Sequence, residues 1–190
     1  EPTRSKRSWK PYQKEHATEE AVAAWCHETH LNVGIVTGRI SGIVVLDLDN
    51  NTAIRSAYER GLPVTPMAAT GKGLHVYFRA PEEPMGNRAN FDAIEGFDFR
   101  GEGGYVVAPP SIHPDGHTYR WTQSPEDVPL AEMPAWLQQL LATSSHPQTT
   151  APATDSDATE QPTTSLSESD RLQQIATEII DAELEQVRRT

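Results

Sequence analysis

Three stretches of the chain alternate polar and apolar side chains with a period of two, the pattern of a strand with one face buried. In the first, Ile43-Val44-Val45-Leu46 runs into Asp47-Leu48-Asp49. A strand there sets Ile43, Val45, Asp47 and Asp49 on one side and Val44, Leu46 and Leu48 on the other. The second opens with the turn Gly71-Lys72-Gly73 and alternates His75, Tyr77 and Arg79 with Leu74, Val76 and Phe78. The third, from Gly96 to Ser111, sets Asp98 and Arg100 against Phe97 and Phe99.

Helical spacing punctuates these strands. Thr18 is placed to cap a helix with Glu19 and Glu20 in its first turn and Val22 and Trp25 on its apolar face. A second helix is expected near Thr52 to Arg60, ended by Gly61. Asp115-Gly116 reads as a hairpin turn leading into a strand from Thr118 to Trp121, and Pro134 suits the first turn of a short helix reaching Leu141. From Thr143 to Ser165 large apolar side chains are almost absent, so that stretch predicts a disordered linker. Beyond it Leu172, Ile175, Ile179, Leu184 and Val187 recur at helical spacing, the mark of an amphipathic helix that needs a surface to dock on.

The polar members of the strands carry the candidate chemistry. Asp47 and Asp49 repel each other unless a cation lies between them, which points to a divalent metal. Such a pair at a strand end also serves as a solvated turn, with Asn50 and Asn51 capping the helix that follows. Gly71 and Gly73 allow backbone amides to approach phosphate oxygens beside the Lys72 charge, although most such turns are simple hairpins. His75 alone could be an ordinary half-buried histidine, and Asp98 with Arg100 a local ion pair of little worth. Recurrence of one design on separate strands favours metal-assisted chemistry on a phosphate over unrelated coincidences.

The ordered set Asn32 to Gly38, Ile43 to Asp49, Gly71 to Phe78, and Phe97 to Gly101 running on through Gly103 to His113 resembles the primase/polymerase (prim-pol) branch of the archaeo-eukaryotic primase superfamily. Plasmids, phages and other mobile elements encode this type. Trp9-Lys10-Pro11 and the helix ending near Trp25 are similar to it as well, so the likeness runs from Trp9 to Leu141. The resemblance implies a mixed α/β (α+β) catalytic domain with an RNA-recognition-like sheet. It implies Asp47, Asp49 and Asp98 as metal-binding carboxylates for two Mg²⁺ or Mn²⁺ ions, His75 as a contact to the incoming nucleotide, and Lys72 and Arg100 as phosphate contacts. Ser111 and His113 match a further family segment without an assigned role. A single-stranded DNA template and nucleoside triphosphates are the expected partners, in replication of a mobile element. Members commonly carry a helix and a strand ahead of this starting point and continue into a helicase, so an N-terminally shortened domain and a helicase module in the parent protein are expected.

Two-metal nucleotidyl transfer needs this residue set for physical reasons. Ions ~3.5–4 Å apart activate the attacking hydroxyl and neutralise the leaving pyrophosphate. Hard cations prefer oxygen ligands, and positive side chains bind the triphosphate without competing for metal. The organisation that follows is a catalytic domain over 9–141, a disordered linker over 142–166, and an amphipathic helix over 167–190 that begins a helical accessory region. A metal-dependent nuclease or phosphohydrolase, and a non-catalytic nucleic-acid-binding module, are the competing classes. Joint presence of the aspartates with His75 and Arg100 speaks against the module, and the match around Gly103 to Ser111 against the nuclease.

Composition narrows the setting. The 190 residues contain no apolar stretch long enough to span a bilayer and no secretory leader, which predicts a cytoplasmic protein without a membrane partner. The single cysteine, Cys26, excludes an internal disulfide, and with His27 and His30 it cannot close a tetrahedral zinc site. The formal net charge of -11 conceals an uneven distribution: Arg4, Lys6, Arg7, Lys10 and Lys14 make the start basic, while the tail beyond Asp155 is strongly acidic. A local basic face can bind a phosphate backbone despite that total, and a solvated basic end is the alternative.

Overall fold

The computed structural model describes residues 8–28 and 31–143. The expected linker beyond Thr143, the helix over 167–190, His30 and the basic residues Arg4, Lys6 and Arg7 lie outside the described residues.

A 3-10 turn, Lys10–Gln13, leads into α1 (Glu19–Cys26), followed by β1 (Val33–Val36), β2 (Ile43–Leu48), α2 (Asn51–Glu59), β3 (Met67–Ala69), β4 (Leu74–Arg79), β5 (Phe97–Arg100), β6 (Tyr105–Ala108), β7 (Arg120–Gln123) and α3 (Ala135–Thr143). The strands form a five-stranded sheet in the order β5-β2-β4-β3-β7 and a two-stranded ribbon, β1-β6. All pairings are antiparallel. The architecture is mixed α+β, as the sequence leads one to expect.

Period two decides which residues meet the core. Val44, Leu46 and Leu48 of β2, Leu74, Val76 and Phe78 of β4, and Phe97 and Phe99 of β5 form one buried layer against Ala53, Ile54 and Ala57 of α2 and Leu137 and Leu141 of α3. Burying each of the larger side chains contributes roughly 1.5–3 kcal/mol, so this layer is the main source of stability. Arg60 fastens its rim: the guanidinium pairs with Asp92 at 2.7 Å and lies over the Phe97 and Trp136 rings at 5.6 and 5.5 Å.

On the opposite face of the sheet, Val45, Ala68 and Tyr77 pack with Val106 of β6, Ile35 of β1 and Trp121 of β7. The β1-β6 ribbon therefore covers part of that face. Ser111 ties the ribbon to the chain that follows it, since its hydroxyl accepts from the Val33 amide at 2.8 Å and donates to the Val33 carbonyl at 3.3 Å.

Local signals read from the sequence fare unevenly. Thr18 caps α1 by accepting from the Ala21 amide, and Asn50 caps α2 by accepting from the Ala53 amide at 2.9 Å. The turn at Asp115-Gly116 is present, but the strand after it is Arg120–Gln123 rather than Thr118 to Trp121. Thr118 makes only an isolated bridge with Ile112, and the ladder with β3 begins at Arg120. The apolar face expected on α1 is only partly covered: Val22 is exposed, and Trp25 sits edge-on against Tyr12 with ring centroids 5.4 Å apart.

Candidate active site

Asp47 sits on the strand between β5 and β4, directly opposite Asp98 on one side and His75 on the other. Neighbouring strands are ~4.8 Å apart, so register alone lines these side chains up in a row across the sheet. Asp49 follows just past the end of β2, where its amide donates to the Gly96 carbonyl at 2.9 Å. One oxygen from each of Asp47, Asp49 and Asp98 lies within 4.8 Å of the others.

Close backbone approaches make this end of the sheet possible. Gly73 pairs the Lys72 turn with the end of β2 so tightly that a Cβ there would overlap the Leu48 carbonyl oxygen. Gly96 holds φ +85°, a left-handed conformation, and a Cβ on it would run into the Asn50 side chain. Asn50 in turn donates to the Glu95 carbonyl at 2.7 Å, so one residue caps α2 and fastens the loop leading to β5.

Each buried carboxylate is held at both oxygens. Asp47 Oδ1 lies 3.3 Å from His75 Nε2, and Asp47 Oδ2 accepts from Arg100 Nη2 at 3.3 Å. Asp98 Oδ1 accepts from the Asn90 amide at 2.8 Å, and Asp98 Oδ2 accepts from the same Arg100 nitrogen at 2.9 Å. Asp49 is exposed, and among the described residues no side chain pairs with it.

Electrostatics separates the acids. Burial pushes the Asp47 carboxyl up, but the His75 and Arg100 charges outweigh it and hold the group below the ordinary carboxylate range. Although the Asp49 residue is exposed as a whole, its carboxyl turned toward the other acids is desolvated there, which, ahead of the negative charges of Asp47 and Asp98, pushes it up to about 6. Burial also raises Asp98, against the opposing pull of the Asn90 amide and Arg100. A group of acids that cannot comfortably ionise together is one that a bound cation relieves.

The donor set fits a hard divalent cation, because all its ligand atoms are carboxylate oxygens. Among the described residues this is the one cluster of metal-ligating side chains, and Cys26 is exposed. The trio can therefore hold a divalent metal.

The remaining candidates fall at different distances from this centre. Arg100, one row away on β5, reaches both buried acids. Lys72 projects from the turn beside the end of β2, exposed and without an ion pair among the described residues. Arg79 shares the strand face of His75 but pairs with Ile43, four residues and ~13 Å along the sheet, where it binds Glu132 at 2.8 Å. His113 and His117 both lie against Asp115, at 2.8 and 2.9 Å, in a loop whose His117 touches Gly71.

Some contributors have no mark in the sequence pattern. Asn90, at φ +46°, orients Asp98 through its backbone amide and accepts from the Gly96 amide through its side chain at 3.1 Å. Tyr119 lays its ring against His75, centroids 5.9 Å apart. The left-handed tolerance of asparagine is the only hint available for Asn90, and nothing local distinguishes Tyr119.

The profile described as "bifunctional DNA primase/polymerase, N-terminal" matches residues 1–136. The chain belongs to this family. Prim-pol membership assigns DNA primase/polymerase-type nucleotidyl transfer in general terms, with DNA and nucleotides as substrates. No curated protein matches the chain. Among the described residues no helix is long and apolar enough to cross a membrane.

Proposed function

We propose that this chain carries out template-directed nucleotidyl transfer, acting as a DNA primase and DNA polymerase in the replication of a mobile element such as a plasmid or phage. The supporting observation is the convergence of Asp47, Asp49 and Asp98 within 4.8 Å in a member of the prim-pol family. In this reading the three acids hold two Mg²⁺ or Mn²⁺ ions. When bound, such ions lower the pKa of the attacking 3′-hydroxyl and offset charge on the departing pyrophosphate.

The side chains around them bind and orient. Lys72, on its glycine-flanked turn, supplies a point charge for triphosphate oxygens. Arg100 offers a planar set of donors suited to the same groups. His75, anchored to Asp47 through Nε2, keeps a buried Nδ1 without a hydrogen-bond partner, which is the atom we assign to a phosphate or sugar oxygen of the incoming nucleotide. The catalytic unit is assigned to 9–141, on a template of single-stranded DNA, and truncation after Leu141 should leave nucleotide binding intact.

Incubation of a labelled primer-template with Mn²⁺ and deoxynucleotides tests the reading, together with de novo dinucleotide synthesis on a single-stranded template. Lengthened products that disappear on chelation are expected. Shortened products would replace the proposal with a metal-dependent nuclease, and neither product would leave a non-catalytic module.

A further inference from the structure

Arg100 holds two of the oxygens that a metal ion between the acids would draw on. Asp47 commits Oδ1 to His75, and Asp98 commits Oδ1 to the Asn90 amide. The other oxygen of each, Asp47 Oδ2 and Asp98 Oδ2, is held by the single nitrogen Arg100 Nη2. A cation that bridges the two acids through these oxygens shares their lone pairs with the guanidinium, and the two positive charges repel each other at such close range.

We propose that Arg100 is an exchangeable counter-ion that couples metal binding to triphosphate binding. Its guanidinium competes with divalent cations for the Asp47 and Asp98 oxygens, and a triphosphate receives the guanidinium once it is displaced. This rests on the nucleotidyl-transfer reading of the site and adds a direction to it: metal alone binds against a resident charge, and metal with nucleotide does not.

The surroundings of Arg100 favour exchange by the side chain alone. The backbone that follows is pinned, with the Gly101 amide donating to Asn87 Oδ1 at 3.0 Å and the Gly101 carbonyl accepting from Thr37 Oγ1 at 2.6 Å. The Arg100 side chain is only 22% exposed. A guanidinium does not shed its proton, so once it leaves the carboxylates it stays charged in a partly desolvated cleft and needs another anion. A nucleotide phosphate meets that need. Because binding couplings are reciprocal, the factor by which nucleotide tightens metal is the factor by which metal tightens nucleotide. Asp49, unpaired with any cation among the described residues, remains open to an arriving ion throughout.

The experiment is a Mn²⁺ titration of the full chain followed by electron paramagnetic resonance of the free ion, with and without a non-hydrolysable deoxynucleoside triphosphate. For the wild-type chain, nucleotide should tighten Mn²⁺ binding by about tenfold, a typical coupling. Arg100→Gln should bind Mn²⁺ about tenfold tighter than wild type without nucleotide, and nucleotide should then add less than about twofold. Arg100→Lys, whose single nitrogen is a poorer bridge, should fall between them and decides the matter if the glutamine variant does not fold. Mn²⁺ affinity that is unchanged or weaker in the folded variants overturns the proposal. Asp47→Asn separates this failure from a deeper one: if Mn²⁺ binding is abolished by Asp47→Asn yet indifferent to Arg100, only the coupling falls. If the wild-type chain binds no Mn²⁺, the metal site and the coupling fall together.

Discussion

The two faces of the five-stranded sheet are built from the same strands and differ by one residue of offset. Leu46, Val76 and Phe99 point into a layer sealed by α2 and α3. The residues next to them, Asp47, His75 and Asp98, form a row in which the two acids repel each other while His75 steadies one of them. One face supplies the stability that offsets the strain of the raised acids Asp49 and Asp98 on the other, and that division explains how mutually repelling carboxylates can be held close together. Damage to the first face should be felt as unfolding and damage to the second as lost chemistry.

The most severe functional test of this contrast is Asp47→Asn. Primer extension should fall by about 10³-fold, equivalent to about 4 kcal/mol of transition-state stabilisation. The urea midpoint at neutral pH should fall as well, because the pairing with His75 and Arg100 that holds the Asp47 carboxyl low is lost, but the loss of extension should far exceed what the remaining folded fraction accounts for. A variant that retains extension would remove Asp47 from the proposed chemistry.

On the opposite face, Leu46→Ala should reduce stability by about 3 kcal/mol through lost burial and a residual cavity. Urea denaturation measures it, and Mn²⁺ affinity of the folded protein should stay within about twofold of wild type. A large loss of Mn²⁺ affinity in folded protein would show that the faces are not separable.

Lys72 lies outside the carboxylate row, and its change should be milder. Lys72→Ala is expected to raise the nucleotide KM about tenfold with little change in kcat, the signature of lost ground-state binding. A fall in kcat alone, read from steady-state extension kinetics, would give Lys72 a different part.

The smallest effect concerns Asp49 and has the opposite sign. Its carboxyl titrates at about 6 in the folded chain, above its ordinary value. Ionising it therefore costs stability: the loss sets in as pH rises from ~4 and is complete above about 6. Without divalent ions, Asp49→Asn should stabilise the protein at pH 7.5 by on the order of 1 kcal/mol, discounted for the partial exposure of the group, and have no such effect at pH 4. Thermal melts at the two pH values check it, and a destabilised variant at pH 7.5 would contradict the strain assigned to this acid.

Much of this contrast could be read from the chain itself. Period two separates Asp47 from Leu46, and Asp98 from Phe99, without reference to any partner strand. It cannot order the strands, and order is what sets Asp47 between Asp98 and His75. Arg79 shows the cost: it shares a face with His75, yet its place along the strand carries it to Glu132. The bond Asn90 makes to Asp98 comes from a backbone N–H, which every residue except proline possesses, so residue type hints at the left-handed turn there and not at that bond. Val22 fits a helical stripe and is nevertheless exposed, because spacing shows which side chains share a helix face and not whether another element packs on it.

Because Asp98, Asp47 and His75 are paired residue for residue across adjacent strands, the hydrogen-bond ladder works as a ruler for the cleft. The spacing of Asp47 and Asp98 is thereby fixed by strand register, whereas Asp49, just past β2, depends on the loop contacts at Gly96 and Asn50. A single inserted residue inside β2 would turn Asp47 inward among the phenylalanines and bring a leucine into the cleft.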